Sequence, residues 1–341
     1  MFRPTPRASG YFRTDHRQDL TLLQTRTERI STVVFLLVLA AFPFAASPFL
    51  LDLACQVFLA SIGALALMLL TGYAGQISLG HAAFFGIGAY SAAMLATKAG
   101  LSFWAAPPLV IAISAFIGLL LGLPSLRVRE DFLAITTIGI NFIVEAVFLY
   151  IPFFGGALGI GGIPRVVLFG IKLKGLAFLG LCLFFLLVVL AVCWWFTQCW
   201  AGLACFALRE EEAAASSMGI SPVRFKLLAF VIGTGIAGLG GALYAHYIRF
   251  VSATDFSFPV SVLLLSMVVL GGMGTLWGPV LGALILGALP EVFRPLVNYR
   301  FLFYMVLLLL IIRFQPEGLL GESSLVRRVF AKVQPGRLRN N

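Results

Sequence analysis

Charged residues are scarce in this sequence. They make up 11% of its 341 residues, whereas about a quarter of a typical soluble domain is charged. Hydrophobic residues supply 60%, and the mean hydropathy is +1.02. A water-soluble fold of this composition would lack the polar surface that it needs, so the composition excludes a soluble globular protein. The sequence instead predicts an integral membrane protein.

The sequence also lacks the signatures of nucleotide hydrolysis and of common hydrolases. It contains no G-x-x-x-x-G-K-[ST] phosphate-binding loop, no H-E-x-x-H motif and no G-x-S-x-G motif. Its five cysteines include no C-x-x-C pair, and its three histidines lie far apart, so no metal site is predicted. We therefore predict a protein that is not an enzyme and has no cofactor of its own.

Long apolar runs dominate what remains. Each run of about 20 apolar residues predicts a helix that crosses the bilayer. The fold class is therefore an all-α integral membrane protein, a polytopic helical bundle of about ten spans with broken or re-entrant Gly-rich segments. The predicted spans are roughly 31–50, 53–72, 77–98, 104–123, 132–153, 175–197, 227–248, 259–277, 278–294 and 299–313. The first run could also be a signal-peptide core, but the thirty-residue polar arm before it favours an uncleaved span.

Positive charge is concentrated at both ends of the chain, whose formal net charge is +10. The basic residues there are Arg3, Arg7, Arg13, Arg17, Arg26, Arg29, Arg327, Arg328, Lys332, Arg337 and Arg339. Because cationic flanks stay in the cytoplasm, an even number of spans predicts two cytoplasmic termini in a bacterial inner membrane. The loop 155–175 falls outside in this topology although it is basic, which the rule does not explain. Nucleic-acid binding is not expected, because no basic stripe lies on a soluble fold.

One loop between spans, 198–226, is long and polar. Three glutamates near the start of Arg209–Met218 and Gly219 at its end predict a short helix there. Such a helix could dock a partner protein, or the loop could be a solvated linker. The residue types alone do not separate these two interpretations.

Glycine is dense in two of the apolar segments, where it predicts close helix packing or breaks. The packing glycines are Gly72, Gly75, Gly80, Gly271, Gly274, Gly278 and Gly282. Broken helices near the bilayer midplane often pass polar cargo in transporters. Gln76, Ser78 and His81 are therefore candidates for a translocation pathway, although His81 is also, and preferably, interpreted as a hydrogen-bonded packing residue.

One carboxylate lies inside an apolar run. Glu145 belongs to the predicted span 132–153, and an ionisable residue at that depth is costly and often functional. Asn141, one helical turn earlier, could hydrogen-bond it. Both residues are candidates for the pathway. The alternatives are a purely structural interhelical hydrogen bond or, for Glu145, a position near the membrane interface.

Three of these segments resemble a known family. GQISLGHAAF from Gly75, GGMGTLWGPVLG from Gly271 and the 198–226 loop are similar to motifs of the permease subunits of bacterial ABC importers for branched-chain amino acids, of the LivM type. The resemblance extends over about 60–321. The apolar runs and the basic ends predict a cytoplasmic N-terminal arm at 1–30, a transmembrane permease domain at 31–313 and a cytoplasmic C-terminal tail at 314–341.

The resemblance also implies how the loop works. In such importers a coupling helix in this loop seats in a groove of the ATPase subunit. The residues that match are Arg209, Glu210, Glu211, Glu212, Ala213, Ala214, Gly219 and Ile220.

The implied partners are two ABC ATPase subunits, which bind ATP and Mg, a paralogous LivH-like permease and a periplasmic substrate-binding protein. The implied cargo is leucine, isoleucine or valine, with urea or short amides as the alternative. A stand-alone secondary transporter is a competing class. It would need several intramembrane carboxylates, and it would have no need for the 198–226 loop.

Overall fold

A computed structural model describes residues 47–125, 130–168 and 170–292, together with residues 306, 309, 313, 318 and 319. Helices form most of this part of the chain, which confirms the predicted fold class. Their bounds are α1 Pro48–Met68, α2 His81–Thr97, α3 Ala106–Ser125, α4 Glu130–Tyr150, α5 Leu176–Gln198, α6 Trp200–Glu210, α7 Glu212–Ser217, α8 Pro222–Ile248, α9 Phe258–Gly271 and α10 Gly278–Val292.

Within the described ranges, six helical segments are long and apolar enough to cross a membrane. They are Pro48–Tyr73, Phe103–Pro124, Phe132–Tyr150, Leu176–Gln198, Pro222–Ile248 and Ala253–Gly271. Helices α2 and α10 are shorter, and α2 is almost entirely buried among the others. Most of the predicted span 31–50 and nearly all of 299–313 lie outside the described residues, as do the arm 1–30 and most of the tail 314–341.

Local sequence explains several helix starts. Proline occupies the first position of α1 and of α8, where its missing N–H would have no helical partner. Ser47 precedes Pro48, and its side chain accepts a hydrogen bond of 3.4 Å from the Leu50 amide. The second predicted span therefore begins earlier than the apolar pattern indicated, at Pro48.

Helix α8 is the centre of the bundle, with α1, α2 and α3 packed around it. Small residues allow these backbones to approach closely. The close pairs are Gly233 with Leu70, Gly88 with Gly238, and Gly118 with Thr234. The order of these contacts along the helices makes α2 parallel to α8 and makes α1 and α3 antiparallel to it.

The bundle has two distinct ends. At the loop end, residues 199–221 join α5 to α8. At the opposite end, β1 (Ile160–Gly161) pairs antiparallel with β4 (Phe250–Val251), and β2 (Val167–Leu168) pairs with β3 (Ile171–Lys172). The basic loop 155–175 therefore lies at the end opposite 199–221.

Helices α9 and α10 form an antiparallel hairpin. A β-carbon at Gly282 would overlap the Met267 carbonyl oxygen, so the two backbones are in contact. The predicted span 259–277 is shorter in the structure, because the helix ends at Gly271. Gly272 and Gly274 follow with φ of 120° and 92°, which a helix cannot contain. The turn 272–277 between the two helices lies at the loop end.

Candidate functional site

Two glycine-rich segments that are far apart in sequence touch at the loop end. After α1 the chain makes a π-helical turn, Leu69–Tyr73. The Tyr73 hydroxyl donates a 3.3 Å hydrogen bond to the carbonyl oxygen of Gly274, 201 positions along the chain. A β-carbon at Gly72 would lie 2.9 Å from the Gly274 amide nitrogen. Glycine is therefore needed at position 72 for the two turns to meet.

The side chain of Arg209 reaches both of these turns from the end of α6. Its Nη1 donates a hydrogen bond to the carbonyl oxygen of Gly72. At Gly75, where φ is 70°, a β-carbon would lie 3.2 Å from Arg209 Cγ. At Gly274, where φ is 92°, a β-carbon would lie 3.3 Å from Arg209 Nη1. Despite these contacts, Arg209 as a whole is an exposed residue.

Helix α6 holds Arg209 in place by packing against the start of α8. Cys205 and Leu208 are buried, and Cys205 Sγ lies 3.4 Å from the Phe225 carbonyl oxygen. Burial raises the pKa of the Cys205 thiol to about 12, so this cysteine is a neutral packing residue.

The loop contains two short helices, and the prediction of one helix over Arg209–Met218 is wrong. Glu211 has φ of −157° and ψ of 103°, which is extended backbone, and it separates α6 from α7. The predicted end at Gly219 is confirmed, since its φ is 86°. Ile220 donates to the Ala215 carbonyl oxygen at 3.1 Å, which completes a glycine cap of the Schellman type.

An ion pair fastens α7 to α8. Glu212 Oε2 lies 2.7 Å from Lys226 Nζ, and the lysine side chain is only 8% exposed. Glu212 is therefore engaged within the chain. The exposed surface of the loop consists of Glu210, Glu211, Ala213, Ala214 and their neighbours, whereas Ile220 is half-buried.

Sequence reasoning missed Met218 as a member of this surface. Its side chain is 83% exposed beside the capping glycine, at the tip of the loop. The available signal was a large apolar residue directly before a helix-ending Gly in an otherwise polar segment.

Gln76, Ser78 and His81 lie together in the segment that joins α1 to α2. All three are buried, and their side-chain polar atoms have no hydrogen-bond partner among the residues that the structure describes. The preferred interpretation of His81 as a hydrogen-bonded packing residue is therefore wrong. The break between α1 and α2 is also not midway along the bundle. It lies at the loop end, because Gly75 contacts Arg209 there.

The first turn of α2 is held by side chains from α4 and α9. The Leu79 amide donates to Thr137 Oγ1 at 3.0 Å, and the Ala82 amide donates to Ser261 Oγ at 2.9 Å. Ser261 in turn donates to Asn141 Oδ1 at 3.2 Å. Gly80 fits here because a β-carbon would overlap the Thr137 carbonyl oxygen.

Asn141 does not form a hydrogen bond with Glu145 in the described structure. Asn141 is fully buried, and its amide nitrogen lies 3.4 Å from the Phe256 carbonyl oxygen. Glu145 is half-buried on the outer side of α4, where Phe142 and Ile143 are exposed. The suggested hydrogen bond between the two residues is therefore a wrong interpretation.

In the hairpin, Gly271, Gly278 and Gly282 all lie at backbone contacts. A β-carbon at Gly271 would overlap the Gly278 carbonyl oxygen, and one at Gly278 would lie 2.7 Å from the Gly272 carbonyl oxygen. These glycines allow the tight turn that carries Gly274 to Tyr73.

Comparison with known proteins places this arrangement in a family. Residues 49–314 match the model of the branched-chain amino acid transport system / permease component family. The chain is 35% identical over 321 residues to the high-affinity branched-chain amino acid transport system permease proteins LivM of Salmonella typhimurium and Escherichia coli. Each alignment covers 87% of this chain and 76% of the relative.

The similarity to LivH proteins is less extensive. The Escherichia coli K12 permease protein LivH is 32% identical over 126 residues, which cover 36% of this chain and 40% of LivH. No solved structure matches the chain. The family match and the LivM relatives agree with the resemblance of the sequence motifs, and the chain belongs to the family of permease components of branched-chain amino acid transport systems.

Proposed function

We propose that this chain is the LivM-like permease subunit of an ATP-driven importer in a bacterial inner membrane. In the proposed complex it works with a paralogous permease, two ATPase subunits and a periplasmic binding protein, and it carries leucine, isoleucine or valine. The names of its relatives support this cargo. ATP and Mg would be bound by the ATPase subunits, since the chain has no phosphate-binding loop.

The observation that carries the coupling role is the construction of the loop. Helix α7 exposes Ala213 and Ala214, and Met218 directly after it is also exposed. The Glu212–Lys226 ion pair ties α7 to α8, and the Gly219 cap closes the end of α7. A solvated linker needs neither a nearly buried lysine nor a closed cap. A short fixed helix with small and apolar exposed residues is suited to a groove on another protein.

This role would fix the orientation of the bundle. If α7 contacts ATPases, the loop end faces the cytoplasm and the opposite end faces the periplasm. The basic residues Arg165, Lys172 and Lys174 would then be periplasmic, against the positive-inside tendency, which later loops obey less strictly. Both termini remain proposed as cytoplasmic.

The buried polar residues support a pathway beside the loop. Leaving Gln76, Ser78 and His81 without partners costs free energy in the described conformation, by about 1–3 kcal/mol for each such group. We infer that another conformation of the transport cycle supplies them with water or cargo. Glu145 is proposed to face the same route at the contact with the paralogous permease, because an ionisable residue facing lipid is costly.

Two variants of the loop test the coupling role. Gly219→Trp puts a large side chain where φ is 86°, and Glu212→Arg replaces the ion pair with two like charges. Both should reduce recovery of the ATPase subunits in a pull-down from detergent and abolish uptake of labelled leucine. Gly100→Trp is the matched control. It places the same side chain at φ of 63° with open space around it, in the α2–α3 connection at the opposite end.

The outcomes separate the candidate functions. Normal ATPase recovery with Gly219→Trp would refute docking through this loop. Leucine uptake by the chain without ATPase subunits would favour a secondary transporter. If urea or acetamide inhibits leucine uptake and valine does not, the proposed cargo is wrong.

A further inference from the structure

Arg209 connects the loop to both glycine turns. From these contacts we propose that Arg209 is a positioning residue that transmits displacement of α7 to the turns at 72–75 and 272–275. This inference rests on the proposed function, and it assigns Arg209 an intramolecular role in place of a contact with the ATPase.

The chemistry of the contact suits transmission. The carbonyl groups at the end of a helix lack helical donors and carry a partial negative charge. The guanidinium of Arg209 supplies a charged donor to one of them, the carbonyl of Gly72. Hydrogen bonds from a charged donor are roughly twice as strong as neutral ones. The bond between Arg209 and Gly72 can therefore remain intact when Arg209 is displaced.

The two glycine turns are also tied to each other. Tyr73 donates to the Gly274 carbonyl oxygen, and Gly72 lies against the Gly274 amide. A displacement of Arg209 would therefore act on the two turns together. Helix α7 begins at Glu212, directly after the extended residue Glu211. Only a short stretch of backbone therefore connects α7 to Arg209.

The turn at 72–75 leads directly to the buried polar residues. Gln76 follows Gly75, and its backbone N–H donates to the Leu70 carbonyl oxygen at 2.9 Å. Ser78 and His81 come next. Movement of Gly72 and Gly75 would therefore reach the proposed pathway first, before it reached the distant half of α2.

The test uses the assembled importer in proteoliposomes, with uptake of labelled leucine and ATP hydrolysis measured together. Arg209→Met keeps the aliphatic stem against Gly75 and removes the guanidinium. It should leave ATPase recovery unchanged while leucine uptake per ATP hydrolysed falls about tenfold, as loss of one charged hydrogen bond predicts. Arg209→Lys, which keeps the charge and a donor, should restore part of this ratio.

A control and a second variant sharpen the test. Arg224→Met removes one exposed arginine at the start of α8, which has no hydrogen bond to either turn in the described structure, and should behave as the wild type. Tyr73→Phe removes the hydroxyl that bonds to Gly274 and also interacts with Thr197, and it should lower the ratio about threefold. In the Arg209→Met background Tyr73→Phe should add little, because both side chains act on the same pair of turns.

Several results would overturn the inference. Loss of ATPase recovery with Arg209→Met would show that Arg209 is a docking residue. An unchanged ratio of leucine uptake to ATP hydrolysed would show that Arg209 has no part in coupling. If Arg209→Met does not accumulate, an unchanged ratio with Tyr73→Phe still refutes the link. Normal ATPase recovery with Gly219→Trp would instead refute the proposed function, which keeps the two failures distinct.

Discussion

A close backbone contact between α2 and α8 makes Gly88→Ala a demanding test of the structure. Gly88 on α2 faces Gly238 on α8, and a β-carbon there would lie 2.5 Å from the Gly238 carbonyl carbon and closer still to its oxygen. Both partners are backbone atoms of helices, which cannot rotate away as a side chain can. The helices must therefore separate to accept one methyl group.

The size of the effect follows from two opposing contributions. Overpacking of a close contact costs about 3 kcal/mol when neither partner can move aside. Alanine recovers about 1 kcal/mol through its higher helix propensity. The net loss in the free energy of unfolding should be about 2 kcal/mol, which lowers the melting temperature by about 4 °C.

The assay is the recovery of monodisperse protein by size-exclusion chromatography after heating in detergent. Gly180→Ala is the matched control, because Gly180 lies on apolar α5 with nothing within 4 Å of its added β-carbon. The control should melt at or slightly above the wild-type temperature. Equal melting of the Gly88→Ala and Gly180→Ala variants would refute the close approach of α2 to α8.

Three further substitutions test side chains of helix α4. Asn141→Leu removes the acceptor of Ser261 and the donor to Phe256, and it should cost about 1–3 kcal/mol of stability. Thr136→Val on the same helix, which removes only an intrahelical bond to Phe132, should cost less, and equal losses would contradict the α4–α9 link. Glu145→Ala should reduce leucine uptake without lowering thermal stability, and wild-type uptake would exclude Glu145 from the pathway.

The overall class and most of the spans were predictable from the sequence. Runs of about 20 apolar residues have few alternatives to a spanning helix, and the predicted limits of α5 agree with Leu176–Gln198 within a residue. Prediction was weaker where glycine governs the backbone. The end of α9 at Gly271 depends on the turn that brings Gly274 to Tyr73, and no local pattern contains that contact.

The segments that form the candidate site were predictable from the sequence, but their contact with one another was not. The loop and both glycine-rich motifs were identified separately, yet Tyr73 and Gly274, through which the two motifs meet, lie 201 positions apart. The role of Arg209 depends on that tertiary contact. The extended residue Glu211 was missed because glutamate favours helix, and here the packing of α6 on α8 overrides this preference.

The small strands at the opposite end have a mechanical consequence. The β1–β4 pairing joins the connection after α4 to the connection after α8, and His246 Nδ1 lies 3.0 Å from the Pro164 carbonyl oxygen beside it. Those two connections cannot separate without losing these bonds. If ATPase subunits drive a rocking motion from the loop end, as proposed, the bundle should pivot about this tied end, with the largest displacement at the loop end.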